Sequence, residues 1–123
     1  MANRSGICIL CIGNDLVNLN LRCSRLKELG WNVIGSGNGH DGLFRFAQEP
    51  VEVVVLDLDD NGAESALIAS QIKGQNASVP IIMLVEKRET LLPGATDQAD
   101  AVVSKAEEEQ VLAMCIRELL GNA

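Results

Sequence analysis

The chain has 123 residues, 47% of them hydrophobic and 22% charged, which suits one domain with a buried core spanning 1–123. Aromatic residues make up only 2%, so that core must be aliphatic. A formal charge of −7 argues against direct binding to nucleic acid or an anionic membrane surface. No apolar run approaches the roughly 20 residues needed to cross a bilayer.

Residues 7–12, Ile7-Cys8-Ile9-Leu10-Cys11-Ile12, read as a short apolar strand rather than a signal peptide. Gly13-Asn14-Asp15 follows, and Asn14 or Asp15 can cap the next helix. From about 16 to 29, Leu16, Leu19, Cys23 and Leu26 recur at helical spacing, and Gly30 stops the helix. Asn18, Arg22 and Arg25 recur at a similar spacing and are assigned to the wet face.

Residues 31–35 form a second strand. A Gly-rich turn then leads to a short helix, about 41–48, which Pro50 ends. Val51-Glu52-Val53-Val54-Val55-Leu56 is the third strand, buried on both faces, and Asp57 stands at its C-terminal end. Residues 63 to about 73 are helical, with Ile68, Ala69 and Ile72 on one face. Pro80 opens a fourth strand, 80–85, at its first position, where it is tolerated. Between 87 and 98, Pro93-Gly94 leaves room for only a turn or two of helix. A fifth strand covers 101–103. In the last helix, Glu107, Glu108 and Glu109 complement the dipole of the first turn. Val111, Leu112, Cys115, Ile116 and Leu119 form its buried stripe.

Five strand–helix units predict an α/β fold, a doubly wound (βα)5 sheet of five parallel strands in flavodoxin-like order 2-1-3-4-5. In that order the loops after strands 1, 3, 4 and 5 converge. They bring together Gly13-Asn14-Asp15, Asp57, Val85-Glu86 and Lys105.

The cysteines carry a weaker signal. Cys8-Ile9-Leu10-Cys11 is a C-x-x-C, but a redox pair calls for a helix N-terminus, and residues i and i+3 of a strand face opposite ways. All four cysteines are read as small buried hydrophobes. Four cysteines in such a chain do not indicate a disulfide scaffold, so a cytoplasmic location is expected. His40 is read as a surface residue.

The motifs in sequence order resemble the receiver domain of two-component response regulators. Ile9-Leu10-Cys11-Ile12 resembles that family's first strand, and Leu26-Lys27-Glu28-Leu29-Gly30-Trp31 its first helix end. Asn38-Gly39-His40-Asp41-Gly42-Leu43 resembles the start of the second helix. Val53-Val54-Val55-Leu56-Asp57-Leu58 resembles the phosphoacceptor strand, Pro80-Ile81-Ile82-Met83-Leu84 the fourth strand and Val103-Ser104-Lys105 the lysine motif.

The resemblance implies a non-enzymatic signalling domain in which Asp57 accepts a phosphoryl group from a partner histidine kinase. It further implies that Lys105 binds the phosphoryl oxygens and that an acidic pair after the first strand helps hold Mg²⁺. Several positions depart from the pattern. Gly13 and Asn14 stand where the acidic pair belongs, with Asp15 one residue late. The hydroxyl position holds Val85, followed by Glu86, and the aromatic switch position holds Val102. Ala106 replaces the usual Pro, and the segment between Val85 and Lys105 is about two residues short. Asp57, Asp15 and the backbone carbonyl of Asp59 are left as weak Mg²⁺ ligands. At an effective dielectric near 20, a carboxylate about 4 Å from a unit charge contributes on the order of 4 kcal/mol before desolvation, so losing two weakens metal binding by orders of magnitude.

The expected function is therefore an atypical receiver domain, impaired in Mg²⁺-dependent phosphorylation. It would act through protein contacts on the face of its fourth helix, fifth strand and last helix. Its partner would be a sensor histidine kinase or another signalling protein, or a second copy meeting the last helix. One alternative is a working phosphoreceiver at Asp57. Another is a nucleotide-binding domain that uses Gly37-Asn38-Gly39-His40-Asp41-Gly42, a literal G-x-G-x-x-G, with Asp57 twenty residues after its first Gly.

Overall fold

The computed structural model describes residues 6–58 and 61–121. Asp59 and Asp60 lie outside the described residues, and with them the proposed carbonyl ligand of Asp59. Five strands run parallel in the order β2-β1-β3-β4-β5: β1 Cys8–Gly13, β2 Asn32–Ser36, β3 Val53–Asp57, β4 Ile81–Val85 and β5 Ala101–Ser104. Four α-helices connect and follow them: α1 Leu16–Glu28, α2 Gly39–Gln48, α3 Ala63–Gln75 and α4 Glu108–Leu119. The predicted strand order and fold class are those observed.

Strand geometry divides the core in two, because alternate side chains point to opposite faces. On one face Leu10, Ile12, Val54, Leu56, Ile81 and Met83 pack against α2 and α3 through Phe46, Ile68, Ala69 and Ile72. On the other, Ile9, Cys11, Val53, Val55, Ile82 and Leu84 pack against α1 and α4 through Leu19, Cys23, Leu26, Leu112 and Ile116. Cys8 and Cys11 fall on opposite faces, as the strand reading requires. Among the described residues, no helix is long and apolar enough to cross a membrane.

Local chemistry sets the helix starts. Asp15 caps α1, accepting from the Asn18 amide at 3.3 Å. Asn38 caps α2, accepting from the Asp41 amide at 2.8 Å, so this helix begins at Gly39, earlier than the 41 expected from its apolar pattern. Leu16 was expected on the buried stripe of α1, yet it is 60% exposed. It is the first residue of the helix. It comes close to Gly37, whose hydrogen leaves room for the Leu16 methyl group.

The link from β4 to β5 contains a 3-10 turn, Arg88–Thr90, and further turns, but no α-helix. Gly94 there has φ +78°, a left-handed conformation that ends any helical run after Pro93. The segment lies instead against the loop that follows β3: the Leu92 amide donates to the Asn61 carbonyl at 2.9 Å, and Ala95 is buried. At the opposite end of the sheet, Asp100 accepts from the Ile81 amide and from Lys73 Nζ, each at 2.8 Å, and so joins β4, β5 and α3.

The glycines of the G-x-G-x-x-G serve packing. A Cβ on Gly39 would lie 2.7 Å from Ile68 Cδ1, and one on Gly42 would overlap Ile12 Cδ1 and stand 2.8 Å from its Cγ1. Ile12 is β-branched and fully buried, so it has little room to yield. Gly42→Ala should therefore destabilise the fold by about 1–3 kcal/mol through overpacking. Helix propensity alone would give a gain of about 1 kcal/mol. Urea unfolding measures the sign, and a gain in stability would refute the close approach of α2 to β1.

Candidate functional site: a four-charge cluster around Asp57

Asp57 ends β3 on the edge where the β1 and β5 loops converge, level with Gly13 on β1. It is 5% exposed, and a carboxylate so deeply placed needs partners. Two cations reach it. Lys105 Nζ lies 2.7 Å from Oδ1, and Arg22 Nη2 lies 3.1 Å from Oδ2. Arg22 is held in turn by Glu108, which accepts from Nε at 2.5 Å and from Nη2 at 3.0 Å. The four side chains carry two positive and two negative charges, so the cluster is neutral within itself.

The predicted pair of Asp57 and Lys105 is thus in contact. Arg22, expected on the wet face of α1, is instead 3% exposed and lies in the heart of the site. Gly13 lies alongside it: a Cβ there would sit in ordinary contact with Arg22 Nη1 at 3.7 Å, and only a longer side chain would compete with the guanidinium for space. The planar fork of Arg also matches two carboxylates at once, which limits the desolvation cost. Burial by itself would lower the Arg22 pKa. The hydrogen bond and charge of Glu108, joined by the charge of Asp57, outweigh it and raise the value further. Glu108 likewise does more than complement a helix dipole, since it anchors Arg22 from the first turn of α4.

Arg22 was readable in principle. Positions 19, 22, 23 and 26 share one helical face, so Arg22 stands inside the apolar stripe of α1. A lone Arg in such a stripe, with a glycine at the end of a neighbouring strand, signals a buried cation.

The other candidate residues are placed differently. Asp15 is exposed and occupied by capping: its Oδ1 accepts from the Asn18 amide and its Oδ2 from the Asn18 side chain at 3.0 Å. Asn14 is exposed and brings no charge. Val85 is buried at the end of β4 and offers no hydroxyl. Val102 pairs with Met83 in the sheet and is partly buried. His40 is exposed. Among the described residues, no group of three or more His, Cys, Asp or Glu is placed to hold a metal ion. A guanidinium lies beside Asp57 instead, so the described residues around it do not fit a divalent ion.

The Gly37–Gly42 turn is built for other work. Asp41 sits in the first turn of α2 and accepts from Ser36 Oγ at 2.6 Å, bringing negative charge to the helix end that a pyrophosphate would approach. Asp57 neighbours β1 and points its charge at Arg22 and Lys105.

A thiol pair lies beside the cluster. Cys23, next to Arg22 in sequence, pairs with Cys11 across the α1–β1 contact. The hydrogen bond from Cys11 brings the Cys23 pKa down to about 7 against the opposing effect of burial, with help from Lys27 and Arg22. The Cys11 thiol is pushed well up by the same bond and by burial.

Comparison with known proteins agrees with the fold. No family model matches the chain. It is 26% identical over 115 residues to the sensor protein GacS of Pseudomonas syringae, covering 85% of this chain and 13% of GacS. It is 22% identical over 121 residues to the probable transcriptional regulatory protein TcrX of Mycobacterium tuberculosis, covering 97% of this chain and 52% of TcrX. The chain thus spans about half or less of the length of these relatives.

A CheY-like response regulator receiver domain protein from Methanospirillum hungatei superposes with a TM-score of 0.83 at 20% identity, over 95% of both chains. The response regulator TrrA of Thermotoga maritima, in complex with Mg²⁺ and beryllofluoride, gives 0.82 at 22% identity, over 92% of this chain and 98% of TrrA. TrrA in complex with the histidine kinase ThkA gives 0.81 at 23% identity, over 93% of this chain and 98% of that one.

Removing Arg22 would leave Asp57 and Glu108 facing each other in a poorly solvated space. Arg22→Ala should cost about 3 kcal/mol in denaturant unfolding. A double-mutant cycle of Arg22→Ala with Glu108→Gln should return a coupling of roughly 1–3 kcal/mol. Additive losses would show that the two side chains do not act as a pair. The strand order and the superpositions together show that this chain has the fold of the CheY-like receiver domains to which it is similar.

Proposed function

We propose that this chain is an atypical receiver domain of two-component signalling that works through protein contacts, with Mg²⁺-dependent phosphorylation of Asp57 impaired. The single observation that carries this reading is the occupation of both Asp57 carboxylate oxygens by the chain's own cations, Lys105 at 2.7 Å and Arg22 at 3.1 Å. A nucleophilic carboxylate must present a free oxygen to phosphorus, with metal and hydroxyl donors to receive the developing charge. Here Gly13, Asn14 and Val85 bring neither acid nor hydroxyl. In this reading the domain extends over 1–123 and functions in the cytoplasm as a binding module rather than an enzyme.

Its partner is a sensor histidine kinase or another signalling protein. The contact surface expected from the sequence loses its fourth helix, because the β4–β5 link has none. Exposed apolar side chains mark other ground: Leu16, Val17 and Leu21 on α1 are 60%, 71% and 50% exposed, and Met114 on α4 is 52% exposed. Residues of this kind at a surface suit a protein partner. Met114 is also available to a second copy meeting α4.

The Asp57–Lys105 contact keeps one second reading in play, a working phosphoreceiver at Asp57. Amide NMR with beryllofluoride and millimolar Mg²⁺ separates the two. The interaction reading expects unchanged resonances for Gly13, Asp57 and Lys105. Mg²⁺-dependent shifts at those three positions would overturn it in favour of phosphoryl acceptance.

A further inference from the structure

We propose that Arg22 is the built-in counter-cation of the Asp57 pocket, standing in place of a divalent ion, with Glu108 as the positioning residue that holds it there. The proposal rests on reading this pocket as that of a receiver domain, but it does not require Asp57 to be inert.

Three observations converge on Arg22. Its guanidinium is almost wholly buried and hydrogen-bonds the Asp57 carboxylate. The Glu108 carboxylate grips the same guanidinium through Nε and Nη2, which fixes its plane. Residue 13 borders the space it occupies: a Cβ there would crowd the Asp57 carbonyl oxygen at 3.2 Å and touch Arg22 Nη1 at an ordinary 3.7 Å. A carboxylate side chain at position 13 would have to share that volume with the guanidinium. An acid at position 13 and a metal form one solution to the pocket's charge; a glycine and an arginine form another. In the second, the cation is covalently part of α1 and its counter-charge is part of α4.

Charge balance then sets the response to metal. The cluster of Arg22, Lys105, Asp57 and Glu108 is already neutral. A divalent ion entering it would meet a guanidinium at close range with no added carboxylate to offset the repulsion. The pocket should therefore be indifferent to Mg²⁺.

The test uses ¹⁵N NMR on the full chain, observing backbone amides and the Arg22 Nε–Hε group. In the wild type, Mg²⁺ should leave residues 13–15 and 57 unshifted relative to EDTA, and the Arg22 Hε should exchange slowly. Glu108→Gln, which keeps the side-chain shape, should speed that exchange on the order of tenfold by replacing a charge-assisted bond with a neutral one. Gly13→Asp combined with Arg22→Ala should bind Mg²⁺ on the order of a hundredfold more tightly than the wild type.

Mg²⁺-dependent shifts in the wild type at residues 13–15 and 57 would overturn the proposal. So would a folded double variant with no gain in Mg²⁺ affinity, or an Arg22 Hε indifferent to Glu108→Gln. Should the double variant fail to fold, the Hε exchange and its response to Glu108→Gln decide the matter. A beryllofluoride adduct at Asp57 formed in EDTA, with the Arg22 Hε shifted, would support Arg22 as the cation while refuting an inert Asp57. The two readings thus fail separately.

Discussion

A carboxylate buried at the end of β3 must be neutralised from inside the protein, and most of the site's architecture follows from that. Asp57 retains almost no contact with water. An isolated ionised group in that position would cost several kcal/mol. Lys105 alone covers one oxygen, and it is itself 29% exposed. Arg22 covers the other but brings a second desolvated charge, which requires Glu108. Each member is tolerable because of the next, so the cluster is best understood as one object spanning β3, α1 and the start of α4.

The sheet makes this object possible. Parallel order β2-β1-β3-β4-β5 sets the C-terminal ends of β1, β3, β4 and β5 along one edge of the sheet, and α1 and α4 cover the same face. Apolar contacts through Leu19, Leu26, Leu112 and Ile116 bring the two helices against the sheet, and the ionic groups occupy the edge where that apolar layer ends. A second rung, Arg25 to Glu109 at 2.8 Å, continues the α1–α4 contact into solvent, where it contributes little. Gly13 borders the cluster and leaves its volume to the guanidinium rather than to a longer side chain.

Fold and half of the site were legible in the residues. Apolar runs of period two and stripes of period 3.6 are set by backbone geometry, so the five strands and their order could be derived. Asp57 and Lys105 could be placed because both sit at strand ends whose convergence follows from that order. Arg22 stands in the apolar stripe of α1, but a helical-face argument that treats charge as a marker of solvent does not place it there, and its pairing with Glu108 spans 86 residues of sequence, which is not a local property. The start of α2 was displaced for a similar reason, because its capping residue Asn38 lies outside the apolar pattern. Leu16 was lost from the core because periodicity gives a direction and does not tell where the sheet ends.

Lys105 and Glu108 lie one turn apart, at the start of the 3-10 segment Lys105–Glu107 and the first residue of α4. One grips Asp57 directly; the other grips it through Arg22. Loosening either grip leaves the other to hold the segment in register, and leaves a bare charge behind at the loosened end. The junction between β5 and α4 is thereby tied to one carboxylate at two points, so a partner that engages it would act on the Asp57 pocket through both contacts at once.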